Sequence, residues 1–324
     1  MKGTRLIEIL FLLFVPLAIF FVGAEVALRA YLANHIFYDV EMSRYALLLK
    51  IDSPDPSIGH HHRPDSEATL MGVSIRTNSD GFRDDEYPLE KGARHRIILL
   101  GDSLTLGWGV EKAESFEQRL EDRLNEIRPT EIINLGVGNY NTTQEVSLLV
   151  EKGLKYQPDQ VVVFYFINDA EPVPQKSRFP GLGRSRTLTF FWSRLKALRA
   201  RFSETTGYRE YYSALYQEGS AGWRRTQDAF LRLRDLSTTH GFALSVVLLP
   251  ELHELDEYAF AKEHAQVMKF LSEIGVPALD LAERFRGQPD PSSLWVSRDD
   301  AHPNERAHRL ISEYSLDFIA EAGS

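Results

Sequence analysis

Ser103, Asn168, Asp299 and His302 are residues of the types needed for nucleophilic acyl transfer, provided the fold brings them together. A serine hydroxyl attacks a carbonyl only when a neighbouring base takes its proton, and an imidazole is the usual base. Asp299, three residues before His302, can reach back to the imidazole Nδ1–H. That would fix the tautomer and leave Nε2 for the serine. Its neighbour Asp300 reads as a solvated loop carboxylate. An asparagine amide such as that of Asn168 can donate to the oxyanion that forms on the attacked carbonyl, with Asp169 bracing the loop. Each signal has an ordinary reading as well: Gly101-Asp102-Ser103 as turn chemistry, Asn168 as a turn former, Asp-x-x-His as coincidence.

The elements that must position these residues follow from the hydrophobic pattern. Arg96 to Leu100 is a short apolar run that stops at Gly101, the pattern of a buried parallel strand. Further strands are expected at Glu131–Leu135, Gln160–Phe166, Ala243–Leu249 and Val276–Leu279. Helices are expected at Ser115–Ile127, Thr143–Leu154, Arg224–Thr239 and Tyr258–Ile274. The alternation predicts an α/β fold, a flavodoxin-like doubly wound parallel sheet of about five strands. In such sheets ligands bind beyond the carboxyl ends of the strands, where Ser103 and Asn168 fall. The segment Asn134-Leu135-Gly136-Val137-Gly138-Asn139 follows the second strand. It can turn sharply and present backbone N–H groups, or simply be a tight βα turn. It lacks the third glycine of a dinucleotide fingerprint. Pro303 marks a helix start, with His302 held in the loop before it.

Taken in order, the four segments resemble the GDSL, or SGNH, hydrolase superfamily from about Arg94 to Ile319. Gly101-Asp102-Ser103-Leu104 is similar to the family's nucleophile block, and Asp299-Asp300-Ala301-His302-Pro303 to its Asp-x-x-His block. The resemblance implies that Ser103 is the nucleophile, His302 the base and Asp299 its orienting partner. The oxyanion hole it implies comprises the Ser103 N–H, the Asn168 amide and a backbone N–H at Gly138 or Asn139, with Asn139 favoured by spacing. Phe166 stands where the family usually has glycine, which narrows the expected pocket. The activity implied is a serine esterase acting through an acyl-serine on a carboxylic ester. By resemblance and location, the first substrate expected is an O-acetyl ester of cell-envelope or exported carbohydrate. The alternatives are an O-acyltransferase with the same triad and a non-catalytic polysaccharide-binding or assembly component. The chemistry requires no cofactor and no metal.

Composition and charge frame the rest. The chain has 324 residues, a net charge of −9 and no cysteine. Nucleic acid is therefore an unsuitable partner, and disulfides, thiolate catalysis and Cys-based zinc sites are excluded. Residues 1–30 hold Lys2 and Arg5 ahead of the uncharged stretch Ile9–Ala24. That stretch is about 24 Å long as a helix and reaches spanning length with its apolar flanks. It is expected to be an inner-membrane anchor placing the remainder in the periplasm, or a secretory signal cleaved before Glu25. Residues 31–92 form an extension expected to pack on the catalytic domain, with Thr77 to Arg83 at its edge. Its His60-His61-His62 reads as a solvated loop in preference to a metal site. Residues 93–324 are the expected hydrolase domain, with a helical insertion at 175–240. That insertion has 13 Lys and Arg against five Asp and Glu. Phe190-Phe191-Trp192, followed by Arg194, Lys196, Arg199 and Arg201 with Leu195 and Leu198 between them, reads as a basic amphipathic helix. It would bury its aromatic face on the domain, rest on an anionic membrane surface or cover the serine as a lid.

Overall fold

The computed structural model describes residues 2–32, 35–173, 185–202 and 207–323. The chain opens with α1 (Lys2–Leu32) and α2 (Tyr38–Leu48), then two hairpins: β1 (Lys50–Asp52) with β2 (His60–His62), and β3 (Glu67–Leu70) with β4 (Val73–Arg76). The α/β body follows as β5 (His95–Gly101), α3 (Ser103–Leu106), α4 (Phe116–Asn125), β6 (Thr130–Asn134), α5 (Thr142–Leu148) and β7 (Gln160–Tyr165). Next come α6 (Arg186–Phe202), α7 (Tyr208–Leu215), α8 (Ala221–His240), β8 (Ala243–Leu248), α9 (Ala261–Glu273) and β9 (Ala278–Asp280). The chain ends with α10 (Ala282–Phe285), β10 (Trp295–Ser297), β11 (Asp300–Pro303) and α11 (Glu305–Ala322).

The main sheet is parallel throughout, in the order β6-β5-β7-β8-β9. The order reverses at β5, which has β6 on one side and β7 on the other, so a crevice opens beyond the carboxyl end of β5. The middle strands are runs of Ile, Leu and Val without polar alternation because both faces are covered. One face buries Ile98, Leu100, Val161 and Val163 with Val146, Phe230 and Val267. The other buries Ile97, Leu99 and Val162 with Phe116, Leu120 and Ile311. The helices start where the sequence supplies a capping oxygen: Ser115 accepts from Gln118 N (3.1 Å) and Asn141 from Gln144 N (3.0 Å). The predicted doubly wound fold is the one observed, with element ends within a few residues of expectation.

The chain divides into two compact units. One comprises residues 48–176 and 206–324 and holds the sheet. Within it α8, the last part of the 175–240 stretch, is the crossover helix between β7 and β8, with Trp223, Phe230 and Leu233 buried. The other comprises residues 1–47 and 177–205. It contains α1, which is apolar enough to cross a membrane over Phe11–Tyr31 and exposes its side chains there. Glu25 on α1 accepts hydrogen bonds from Ser185 Oγ (2.7 Å) and Thr187 N (3.0 Å), which ties α1 to the start of α6. The expected amphipathic helix is α6. Its Leu188, Phe191, Trp192 and Leu195, at helical spacing, are all exposed. Pro174, Gln175 and the side chains of Lys196, Leu198, Arg199 and Arg201 lie outside the described residues.

Candidate active site

The turn after β5 is built around tight contacts. A Cβ on Gly101 would lie 2.0 Å from Thr105 Oγ1, so only glycine lets α3 begin directly on the strand end. Asp102, fully buried, caps α3 by accepting from Leu104 N at 2.8 Å. Ser103 is the first residue of that helix and is 6% exposed. Its hydroxyl therefore sits in a nearly dry pocket at the carboxyl end of the sheet.

His302 reaches Ser103 from the other end of the chain, its Nε2 2.8 Å from Ser103 Oγ. Its Nδ1 lies 2.5 Å from Oδ1 of Asp300, not of Asp299. The sequence expectation is corrected here. Residues 300–303 are not a loop but strand β11, paired antiparallel with β10. Side chains alternate along a strand, so Asp300 and His302 share a face and Asp299 turns to solvent. Asp300 is buried, not solvated as expected, and its Oδ2 accepts from Trp108 Nε1 at 3.0 Å. Burial alone would raise the Asp300 carboxyl. The hydrogen bonds and charge of His302, with the Trp108 N–H, outweigh it and hold the group below the ordinary carboxylate range. The helix after His302 starts at Glu305 and not at Pro303, because Asn304 is the cap, accepting from Arg306 N (3.0 Å) and Ala307 N (3.2 Å).

Asn168 lies on the turn after β7, where Asp169 Oδ2 accepts from Phe166 N (3.1 Å) and braces the loop. Asn168 Nδ2 donates to Asp102 Oδ2 at 2.9 Å, which sets the orientation of its amide. Burial pushes the Asp102 carboxyl up, against the pull of Leu104 N, Asn168 and His302. Phe166 packs half-buried between the two halves of the core. The loop after β6 passes close to α3: a Cβ on Gly136 would lie 2.4 Å from Leu106 N. Further along, Asn139 has φ +67°, the left-handed conformation that glycine adopts without strain.

The extension contributes residues that the sequence reading did not single out. Arg83, buried, donates from Nη1 to the carbonyls of Leu106 (2.9 Å) and Gly107 (2.7 Å), and from Nη2 to Val110 (2.7 Å) and Ser74 (3.1 Å). It thus holds the end of α3, the helix that starts at Ser103. Asp84 accepts from Asn134 N (2.9 Å) at the end of β6 and pairs with Lys112 (2.9 Å). Arg83 and Asp84 are both buried, and buried charges are retained with partners such as these. His60–His62 are not a solvated loop: they form β2, with His62 buried against the Gly81 carbonyl (3.1 Å). Among the described residues no group of His, Asp and Glu could hold a metal ion.

The family model of the GDSL-like lipase/acylhydrolase family matches residues 99–310. Solved structures similar to the chain include the psychrotrophic esterase EstA from Pseudoalteromonas sp., at 16% identity, covering 70% of this chain and 97% of that one with a TM-score of 0.45. The acetyl xylan esterase AlAXEase is 15% identical over 69% of this chain and 99% of that one, with a TM-score of 0.45. The lipase Lip_vut3 from a goat rumen metagenome is 17% identical over 68% and 94%, with a TM-score of 0.46. No curated protein sequence matches the chain. The family match runs from inside β5, through the turn bearing Ser103, to His302 and into α11, and on that span the chain belongs to the GDSL-like lipase/acylhydrolase family of ester-bond hydrolases.

Proposed function

We propose that the protein is a membrane-anchored serine esterase that removes an O-acetyl group from cell-envelope or exported carbohydrate. The observation that carries the chemistry is the continuous relay from Ser103 Oγ to His302 Nε2 and from His302 Nδ1 to Asp300. Ser103 Oγ attacks the ester carbonyl while His302 takes its proton, and Asp300 stabilises the imidazolium that results. The tetrahedral oxyanion is held by the Ser103 and Asn139 N–H groups and the Asn168 amide. His302 then protonates the leaving alcohol oxygen as its bond to carbon breaks, which leaves an acyl-serine. Water, deprotonated by His302, attacks the acyl carbonyl, the bond to Ser103 Oγ breaks and the proton returns to Ser103.

The carbohydrate ester is inferred from family membership together with the apolar N-terminal helix, which points to an envelope location. With Lys2 and Arg5 on the cytoplasmic side, the hydrolase domain faces the periplasm. The test is turnover of p-nitrophenyl acetate and acetate release from O-acetylated polysaccharide by the full chain and its Ser103→Ala variant. The expected result is activity on both substrates that falls by at least about 10³-fold in the variant. Wild-type turnover by the variant would overturn the assignment of Ser103.

A further inference from the structure

The first hairpin of the extension grips one peptide group of the proposed oxyanion hole. Lys50, on β1, donates from Nζ to the Gly138 carbonyl at 2.6 Å and to Asn139 Oδ1 at 3.0 Å. His60, across the hairpin on β2, directs Nε2 at the same Gly138 carbonyl at 3.2 Å. Burial and the neighbouring Lys50 hold His60 down at about 3, so its imidazole is neutral and Nε2 carries the hydrogen that it donates. The hairpin is itself fastened to the loop: Tyr140 Oη donates to the His60 carbonyl, and Gln144 Nε2 to the Ile58 carbonyl at 2.6 Å.

The Gly138 carbonyl and the Asn139 N–H are the two ends of one conjugated amide. Electron density drawn to the oxygen by two donors leaves the nitrogen poorer and its N–H a stronger donor. The bond to Asn139 Oδ1 acts on geometry, because it steadies a non-glycine residue at φ +67°. Resting on the esterase reading above, we infer that Lys50 is a positioning residue that, through the Gly138 carbonyl, orients and polarises the Asn139 N–H as an oxyanion donor. The extension is on this account part of the catalytic apparatus, although none of its residues touches the reacting ester. The effect belongs to the transition state, where the carbonyl oxygen gains charge, and not to ground-state binding.

The test compares the full-length wild type with Lys50→Met and Lys50→Arg, each checked for fold by circular dichroism. Two readouts are taken: kcat and KM for p-nitrophenyl acetate, and the rate at which a p-nitrophenyl alkylphosphonate labels Ser103. Labelling by the phosphonate generates the same tetrahedral anion without needing water or an acceptor alcohol. Losing one oxyanion donor typically costs about 10²–10³ in rate, so weakening one is expected to cost about 10- to 100-fold. K50M should show that loss in both kcat and labelling with KM within about 2-fold, and K50R should recover part of it. Wild-type kcat and labelling in folded K50M would overturn the inference, as would a loss confined to KM. Should K50M not fold, Lys50→Ala assayed with and without ethylammonium decides the matter: rescue supports the role and its absence overturns it. Failure of the wild type to be labelled at Ser103 would instead bring down the esterase reading, and this inference with it.

Discussion

Two adjacent aspartates precede His302, and the difference between them is a matter of strand parity. Asp300 shares a strand face with His302, is buried and receives the Trp108 N–H; Asp299 is exposed. Asp300→Asn is therefore expected to lower kcat by about 10³- to 10⁴-fold by favouring the wrong tautomer. Asp299→Asn should leave kcat within about 2-fold, because a surface change away from the site has little to act on. Steady-state kinetics of the two variants side by side checks both. A second residue-scale expectation concerns Glu145, buried on α5 with neither carboxylate oxygen hydrogen-bonded among the described residues. Burial, reinforced by the charge of Asp102, raises its carboxyl well above the ordinary range. The folded state thus holds a proton that the unfolded chain releases above its own carboxylate range. The stability this contributes is complete below that range and is lost as pH rises towards the folded value. Glu145→Gln should flatten the decline in stability between pH 5 and pH 8, as read by urea denaturation at both pH values.

At the scale of elements, the turn bearing Ser103 depends on segments far from it in sequence. The short helix α3 has four residues and cannot hold itself; nucleation alone is costlier than its few hydrogen bonds return. Asp102 caps its start and Arg83, from the extension, gathers the carbonyls at its end. Arg83→Met should destabilise the protein by on the order of 3 kcal/mol, since four carbonyls lose a charged donor inside the fold. A shift in the urea midpoint with unchanged slope would register it. An unchanged midpoint would mean that the extension merely lies against the body.

For the molecule as a whole, the apolar run of α1 exceeds the thickness of a hydrocarbon core: Phe11–Tyr31 is 21 residues, about 32 Å as a helix. Full-length protein should remain in the membrane fraction through alkaline carbonate extraction, and its N-terminal sequence should begin at the start of α1. Release into the soluble fraction with Glu25 as the first residue would identify a cleaved signal instead.

The hydrophobic pattern and local punctuation by themselves determined the doubly wound sheet, the turn bearing Ser103 and the loop of Asn168. Those features are local: a buried parallel strand is a continuous apolar run, and its following turn is where such sheets keep their ligands. The choice of Asp300 over Asp299 needed the tertiary structure, because it turned on residues 300–303 pairing with β10. A four-residue strand containing proline and histidine has no pattern to announce it. The placement of Lys50, His60 and Arg83 was likewise invisible, since these residues act on carbonyls 9 to 88 positions away in sequence. Backbone carbonyls carry no side-chain signature, so only the folded chain shows which peptide a buried donor holds.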